Sequence, residues 1–338
     1  MKTKRILAAA ACAAVAFGMT GCSTPATVGA VGDVEIPSGL FLLYQQMSYN
    51  EAADLVEDPE QDVLKQQVEG VDAAEWIRTK TLEKIDRYVG IGQMADELGV
   101  ELTAEQTDTV QQIASSQWEA YEENYSDNGI GEESLVLAFT AEQKATLLLD
   151  AIYGPEGTEP VSTGYLTTYI KKNYAQLEYF SLPIMTSNYT MATDEQHDEL
   201  VQMAKDAASK LMDEGADFAT VATETVQAAY DLLEAEMPED ADALQTTIVS
   251  REGSGLDEAT VNNIFSARNG AYGSADLYTS IIVYCRAEVE DTESLEESAL
   301  SAMKSEELES RLVEAGAALE HNLDEKAMDT FSVKKIKA

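Results

Sequence analysis

Two histidines, His197 and His321, and three cysteines, Cys12, Cys22 and Cys285, are the entire supply of soft metal ligands and thiol or imidazole chemistry in this chain of 338 residues. A zinc site clusters such residues at close spacing, and these are scattered. A Ser-His-Asp hydrolase would have to use His197 or His321, and neither stands near a nucleophile-elbow glycine motif. No glycine-rich loop of the phosphate-cradling kind occurs. Asp and Glu number 62, so no acidic pair stands out as a glycosidase dyad. The residue types therefore assign no catalytic residue, no metal and no cofactor.

One cysteine has a context that suggests a different chemistry. The chain opens on Lys2, Lys4 and Arg5, continues with an apolar run from Ile6 to Phe17, and reaches Met19-Thr20-Gly21-Cys22. A short basic stretch, a brief apolar core and small residues before a cut site define a secretory signal over residues 1–21. The apolar run is too short for a spanning helix, which needs roughly 20 residues. Met19-Thr20-Gly21-Cys22 looks like a bacterial lipobox, which implies a diacylglyceryl group on the Cys22 sulfur and cleavage before it. Two acyl chains hold a protein at a membrane where one binds only marginally. Residues 22–29 then read as a lipidated tether, small and polar. With Cys12 removed and Cys22 acylated, Cys285 has no disulfide partner, although export would permit one. It sits in an apolar run and reads as a small buried hydrophobe.

Charge excludes one class of partner. The formal net charge is −40, and loss of the signal removes three basic residues and no acidic ones, leaving −43. Nucleic-acid binding needs clustered Lys and Arg facing phosphate. The acidity serves solubility, and it also favours basic unfolded polypeptides over acidic ones. At 45% hydrophobic the chain has enough apolar residues to build real cores, and a length above about 250 residues suggests two domains.

The patterning places helices first. Val31 to Ile36 reads as a short strand, and Pro37 suits the first position of a helix carrying Leu40, Leu43, Tyr44 and Met47 on one face. Asp72 caps a second helix that Gly99 ends. Thr103 with Gln106 forms a capping box, after which Val110, Ile113, Ala114, Trp118 and Tyr121 make one stripe. A further helix runs from Glu132 to Tyr153, stopped by Gly154-Pro155-Glu156-Gly157, and Ser162 caps the next. The character then changes. Leu177 to Ile184 is strand-like, Thr193 and Gln196 cap a long helix ending near Gly215, and Asp217-Phe218 begins another. Thr246 to Ser250 is a β-branched strand, Leu256 to Phe265 helical, Asn269-Gly270 a turn, and Leu277 to Cys285 the clearest strand. The acidic stretch Glu288 to Glu297 reads as a solvated linker and helix start. Thr292 to Asn322, including His321, is expected to be helical, and Phe331 to Lys337 strand-like.

This order of helical segment, inserted α+β module and returning helix resembles the PrsA-type foldase lipoproteins and the SurA-like periplasmic chaperones. Locally, Ala95 to Gln106 is similar to the family's helix-Gly-strand-capped-helix step, and Gly215-Ala216-Asp217-Phe218 resembles a step inside parvulin modules, where Phe218 would pack under the sheet. The resemblance covers about residues 30–337. It implies a mainly α fold with a small α+β insert: a SurA/trigger-factor-like helical cradle plus a parvulin-like module. The divisions expected are an N-terminal helical chaperone domain over 30–174, the module over 175–289, and a C-terminal helix and strand over 290–338 that return to the first domain. An opening strand near Val31–Ile36 would pair with a closing strand near Val333–Ile336.

The departure lies at the family's catalytic positions. Parvulin-type isomerases carry a histidine on the first strand of the module and another on the last. Here the first strand offers Tyr179, Phe180 and Ser181, and the last offers Thr279 and Ser280. Prolyl isomerisation needs no nucleophile, only a pocket that favours the twisted amide. The expectation is therefore a membrane-anchored extracytoplasmic chaperone for unfolded or nascent secreted polypeptides, reaching the lipid membrane through Cys22. Tyr44, Met47, Trp118 and Tyr121 are candidates for client contact, with a degenerate isomerase cleft at Tyr179, Ser181, Phe218 and Thr279. The alternatives are an active peptidyl-prolyl isomerase and a solute-binding lipoprotein, the latter requiring repeated βαβ units with a cleft at strand ends.

Overall fold

A computed structural model describes residues 25–185, 190–277 and 279–337. The expected signal, Cys12 and the expected lipidation site Cys22 lie outside the described residues, as does Tyr278. Among the described residues the fold is mainly helical with small antiparallel sheets, as the patterning implied.

The first expected strand is two. β1 (Thr27–Val31) turns through Gly32-Asp33 into β2 (Val34–Pro37), with Val31 opposite Val34. Gly32 has φ 56°, a left-handed conformation that reverses the chain where continuous extension was expected. Helix α1 (Ser38–Leu55) follows, then a two-stranded ribbon of β3 (Gln67–Val68) and β4 (Val71–Asp72). Asp72 accepts from the Ala74 and Glu75 amides and starts α2 (Ala73–Leu98), which ends at Gly99. Val100 to Leu102 joins no sheet, so the strand in the family-like step is missing here. Thr103 and Gln106 form their capping box at the head of α3 (Ala104–Asp127), which kinks at Tyr121 (φ −132°, ψ 26°). α4 (Glu132–Tyr153) stops where the Gly-Pro-Glu-Gly sequence begins, and Ser162 caps α5 (Thr163–Asn173).

The module begins with β5 (Tyr174–Pro183), then α6 (Asp194–Glu214) behind the Thr193–Gln196 capping box, and α7 (Phe218–Leu232) capped by Asp217. β6 (Gln245–Ser250), α8 (Glu258–Ser266), β7 (Tyr272–Asp276) and β8 (Ser280–Ala287) complete it. The last expected strand thus begins three residues late, and the strand before it is new. Tyr-Gly-Ser-Ala-Asp is small and polar enough to pass for a loop, yet it pairs along β8 from Tyr272–Cys285 to Asp276–Ile281. The sheet order is β6-β5-β8-β7 and every pairing is antiparallel. The repeated parallel βαβ units that the solute-binding alternative requires do not occur among the described residues.

The C-terminal region corrects two expectations. After α9 (Glu296–Ala317) the chain forms β9 (His321–Leu323), which pairs with β1 through Gly29–Leu323 and Val31–His321. His321 is therefore on a strand, not in a helix. Asp324 then caps α10 (Glu325–Thr330), and Val333–Lys335 is a single 3-10 turn. The closing strand exists but lies about ten residues earlier than expected. Val333 and Ile336 are an odd number of positions apart, which would put them on opposite faces of a strand but on one side of a 3-10 turn.

The chain divides into two compact units, one holding the described residues up to Ala151 and from Glu306 onward, the other Ile152–Ser305. These limits fall within α4 and α9, whereas composition changes near 174 and 289, because packing rather than residue character defines them. The core of the first unit gathers Ile36, Leu40, Phe41, Tyr44, Ile85, Val89 and Leu135, with Met328 and Phe331 returning from the C-terminal end. Arg87 on α2 donates to Glu142 on α4 (3.0 Å) and to Glu309 on α9 (2.8 Å), joining three helices. Its guanidinium pKa is raised, chiefly by the bond to Glu309. α2 and α9 also cross at a pair of glycines. A Cβ on Gly90 would overlap the Leu312 carbonyl, and one on Gly316 would overlap that of Asp86.

Candidate binding site

The sheet of the second unit has two buried faces, divided by the strand period of two. Phe180 and Leu182 on β5, with Ile281 and Val283 on β8, face α6 and α7. Ala175 and Leu177, with Ile282 and Tyr284, face the side of α8. Because α8 is short, it covers only part of its face. Beside it lies an open cleft of about 560 Å³ whose walls include Leu177, Tyr179, Ser181, Thr247, Ile248, Leu256, Leu277, Thr279 and Ile282. The Tyr179 hydroxyl donates to Gln245 Oε1 (2.8 Å), fixing the ring against β6. The lining mixes aliphatic side chains with hydroxyls in about equal share and has no charged side chain. It can hold an extended or prolyl segment by burial, and Ser181, Thr247, Thr279 and Ser280 can hydrogen-bond its amides.

Three of the four residues expected at this cleft meet there: Tyr179, Ser181 and Thr279. Phe218 does not. It is the first residue of α7 and packs beneath the opposite face, 5.6 Å from the Phe180 ring and 5.3 Å from that of Tyr272. Phe218 thus lies under the sheet as expected but is separated from the cleft by it. Among the described residues neither histidine lines the cleft. His197 on α6 has Nε2 3.3 Å from Asp276 Oδ1, in a neighbouring depression that shares Leu256 and Leu277 with the cleft. His321 belongs to the first unit, with Nε2 2.7 Å from Asp86 Oδ1 and Nδ1 2.9 Å from the Leu319 carbonyl. Cys285 packs on the α6–α7 side, and burial, with Glu178 adding to it, raises the thiol pKa. It is a protonated apolar wall rather than a nucleophile.

The four client-contact candidates of the first unit divide. Tyr44 is 4% exposed and belongs to the core, its ring 6.4 Å from Tyr88. Burial raises its phenol pKa. Met47 and Tyr121 are 43% and 56% exposed and line one groove between α1 and α3, of about 410 Å³. Trp118 stacks on Tyr125 at 5.9 Å and 10°, and Tyr125 in turn lines the groove. The groove is framed by amides: Gln46 Nε2 donates to Asn124 Oδ1 at 2.5 Å. Sequence reading missed Asn50, Gln117 and Asn124 here because polar residues on a helix carry no sign of what they face. It also missed Thr247, Ile248, Leu256 and Leu277 in the second unit. Their run was legible as a strand, but only the register, Tyr179 opposite Gln245 and Leu177 opposite Thr247, brings it to the cleft.

The fold is thus of one class, a mainly helical chain carrying an antiparallel α+β module. No family profile and no curated protein matches the sequence. Among solved structures, the chain is similar to foldase protein PrsA from Streptococcus pneumoniae at 12% identity, covering 89% of this chain and 97% of that one, TM-score 0.38. It is also similar to PrsA from Bacillus subtilis at 11% identity, covering 78% and 88%, TM-score 0.31. The peptidylprolyl isomerase PrsA from Bacillus cereus matches at 11% identity over 80% and 95%, TM-score 0.31.

Proposed function

We propose that this protein is an extracytoplasmic chaperone for unfolded secreted polypeptides, held at a membrane by lipid on Cys22. The observation that carries the reading is the cleft beside α8, open, uncharged and walled by Leu177, Tyr179, Leu256, Leu277 and Ile282 among hydroxyl-bearing residues. Such a surface buries apolar side chains of a client at roughly 25 cal/mol per Å² without demanding a particular sequence. The exposed Met47 and Tyr121 add a second apolar surface in the other unit. No histidine or carboxylate borders the cleft among the described residues, so the site is suited to holding a chain rather than to moving protons.

In this reading lipid supplies the anchoring. Among the described residues no helix is long and apolar enough to cross a membrane, and a net charge of −40 is repelled by anionic lipid. The test is aggregation of chemically denatured rhodanese, followed by light scattering, with lipid-free mature protein at near-equal concentration. Suppression is expected, and no effect on this or several other clients would overturn the reading. Refolding limited by proline isomerisation is expected to be unaccelerated by catalytic amounts. Acceleration would instead establish an isomerase. Intact mass of native material is expected to show acylated Cys22 as the first residue, and a free thiol there would remove the anchor.

A further inference from the structure

β6 is an outer strand of its sheet, bonded to β5 on one side, and among the described residues β5 is the only element it packs against extensively. The other outer strand is protected: α6 packs on β7, which ends in Asp276 beside His197. Natural sheet edges are blunted by charge, proline, a bulge or a covering element. β6 has none of these. It reads Gln-Thr-Thr-Ile-Val-Ser, and its pairing with β5 runs from Tyr174–Ser250 to Tyr179–Gln245 without a register shift. Uncharged, β-branched and largely exposed, it stands out in a chain of net charge −40.

The cleft shows what this edge borders. Side chains alternate across a sheet, and the register sets Thr247 and Val249 opposite Leu177 and Ala175, on the face that carries the cleft. The cleft therefore borders β6 along one face. The strand's free edge, where the main-chain N–H and C=O groups not used by β5 are directed, runs beside it. An open main-chain edge beside a side-chain cleft is the arrangement that adds an incoming strand.

We propose that the β6 edge binds an extended segment of a client polypeptide as a fifth strand, with alternate client side chains entering the cleft. The proposal rests on the chaperone reading and gives its mode of recognition: main chain first, which tolerates many sequences. The segment is neutral or basic, because the field of the chain disfavours acidic ones. A second copy of the mature chain offers the same main-chain groups but brings another −43 to the contact, so the occupant is a client rather than a partner subunit.

The probe is a labelled peptide of alternating Thr and Val with a lysine at each end, and a twin whose main-chain amides are N-methylated. Fluorescence anisotropy with the mature chain is expected to show binding that methylation weakens by about tenfold or more. Hydrogen exchange is expected to show new protection at Gln245–Ser250. Ile248→Lys, at a position 39% exposed, should weaken binding by about tenfold. Met212→Lys, replacing a 58% exposed methionine on α6, should change it by less than about twofold. Equal affinity for both peptides, or protection that omits β6, overturns strand addition while leaving client binding intact. Failure to bind either peptide also overturns it, and the chaperone reading falls with it only if aggregation is unaffected as well. A dimer in sedimentation that Ile248→Lys dissolves would assign the edge to a second copy and overturn the proposal.

Discussion

Tyr44, Met47, Trp118 and Tyr121 are the same kind of residue in a sequence, large and apolar at helical spacing, and they end in different places. Tyr44 is enclosed between α1 and α2, Trp118 stacks on Tyr125, and Met47 and Tyr121 border solvent. This separates stability from binding. Tyr44→Ala removes a buried ring and should cost about 3–5 kcal/mol, the range of aromatic-to-alanine changes in cores. Met47→Ser should stay within about 0.5 kcal/mol of wild type, as exposed changes do. Tyr121→Ser loses an edge-to-face contact with Tyr125 and should cost about 0.5–1.5 kcal/mol. Chemical denaturation measures both effects. If the groove between α1 and α3 contacts clients, the two exposed variants should nevertheless lose part of the aggregation suppression. At this scale the sequence named the residues and left their exposure open, since a stripe on one helix is read without its neighbour.

Elements are the scale at which sequence reading succeeded most. Capping boxes at Thr103–Gln106 and Thr193–Gln196 and the caps at Asp72, Ser162 and Asp217 all depend on bonds within one turn, and each forms. Two of the module's caps carry a pH signature. The Thr260 hydroxyl and amide hold the Asp257 carboxyl below the usual carboxylate range, and the Thr220 amide and hydroxyl do the same for Asp217. A folded-state pKa below the unfolded one gives stability that is present above the ordinary carboxylate value, about 4. That stability disappears as pH falls through the depressed value. Asp257→Asn keeps an acceptor and removes the titration, so it should flatten part of the acid-side loss in thermal unfolding curves. Between elements, the α2–α9 crossing has no room at either glycine, so Gly90→Ala should destabilise by about 1–3 kcal/mol or more, as overpacking does. Nothing in a single helix marked these glycines as contact points, because their partners lie more than 200 positions away.

For the whole molecule the governing quantity is charge. If the chain binds clients as proposed, its 62 acidic and 22 basic residues should make long-range attraction select basic ones. That attraction is screened over about 10 Å at 0.1 M salt and about 3 Å at 1 M. Suppression of aggregation should therefore weaken with added salt for a basic client and strengthen for an acidic one, measured as the chaperone ratio needed for half protection. Strand addition at β6, a main-chain interaction, should keep much of its strength with an uncharged peptide at either salt concentration.

By itself the sequence determined the capped starts of α2, α3, α5, α6 and α7, the change from helical to mixed patterning along the chain, and the central strands β5 and β8. Those features are written in contacts a few residues long, or in apolar runs that have only one comfortable conformation. Tertiary structure alone decided that Phe218 and the cleft lie on opposite faces of one sheet, that His321 sits on a strand beside Asp86, and that β7 and β9 exist at all. A short strand with little apolar content is stabilised by the partner it pairs with, and the identity of that partner is a property of the folded chain.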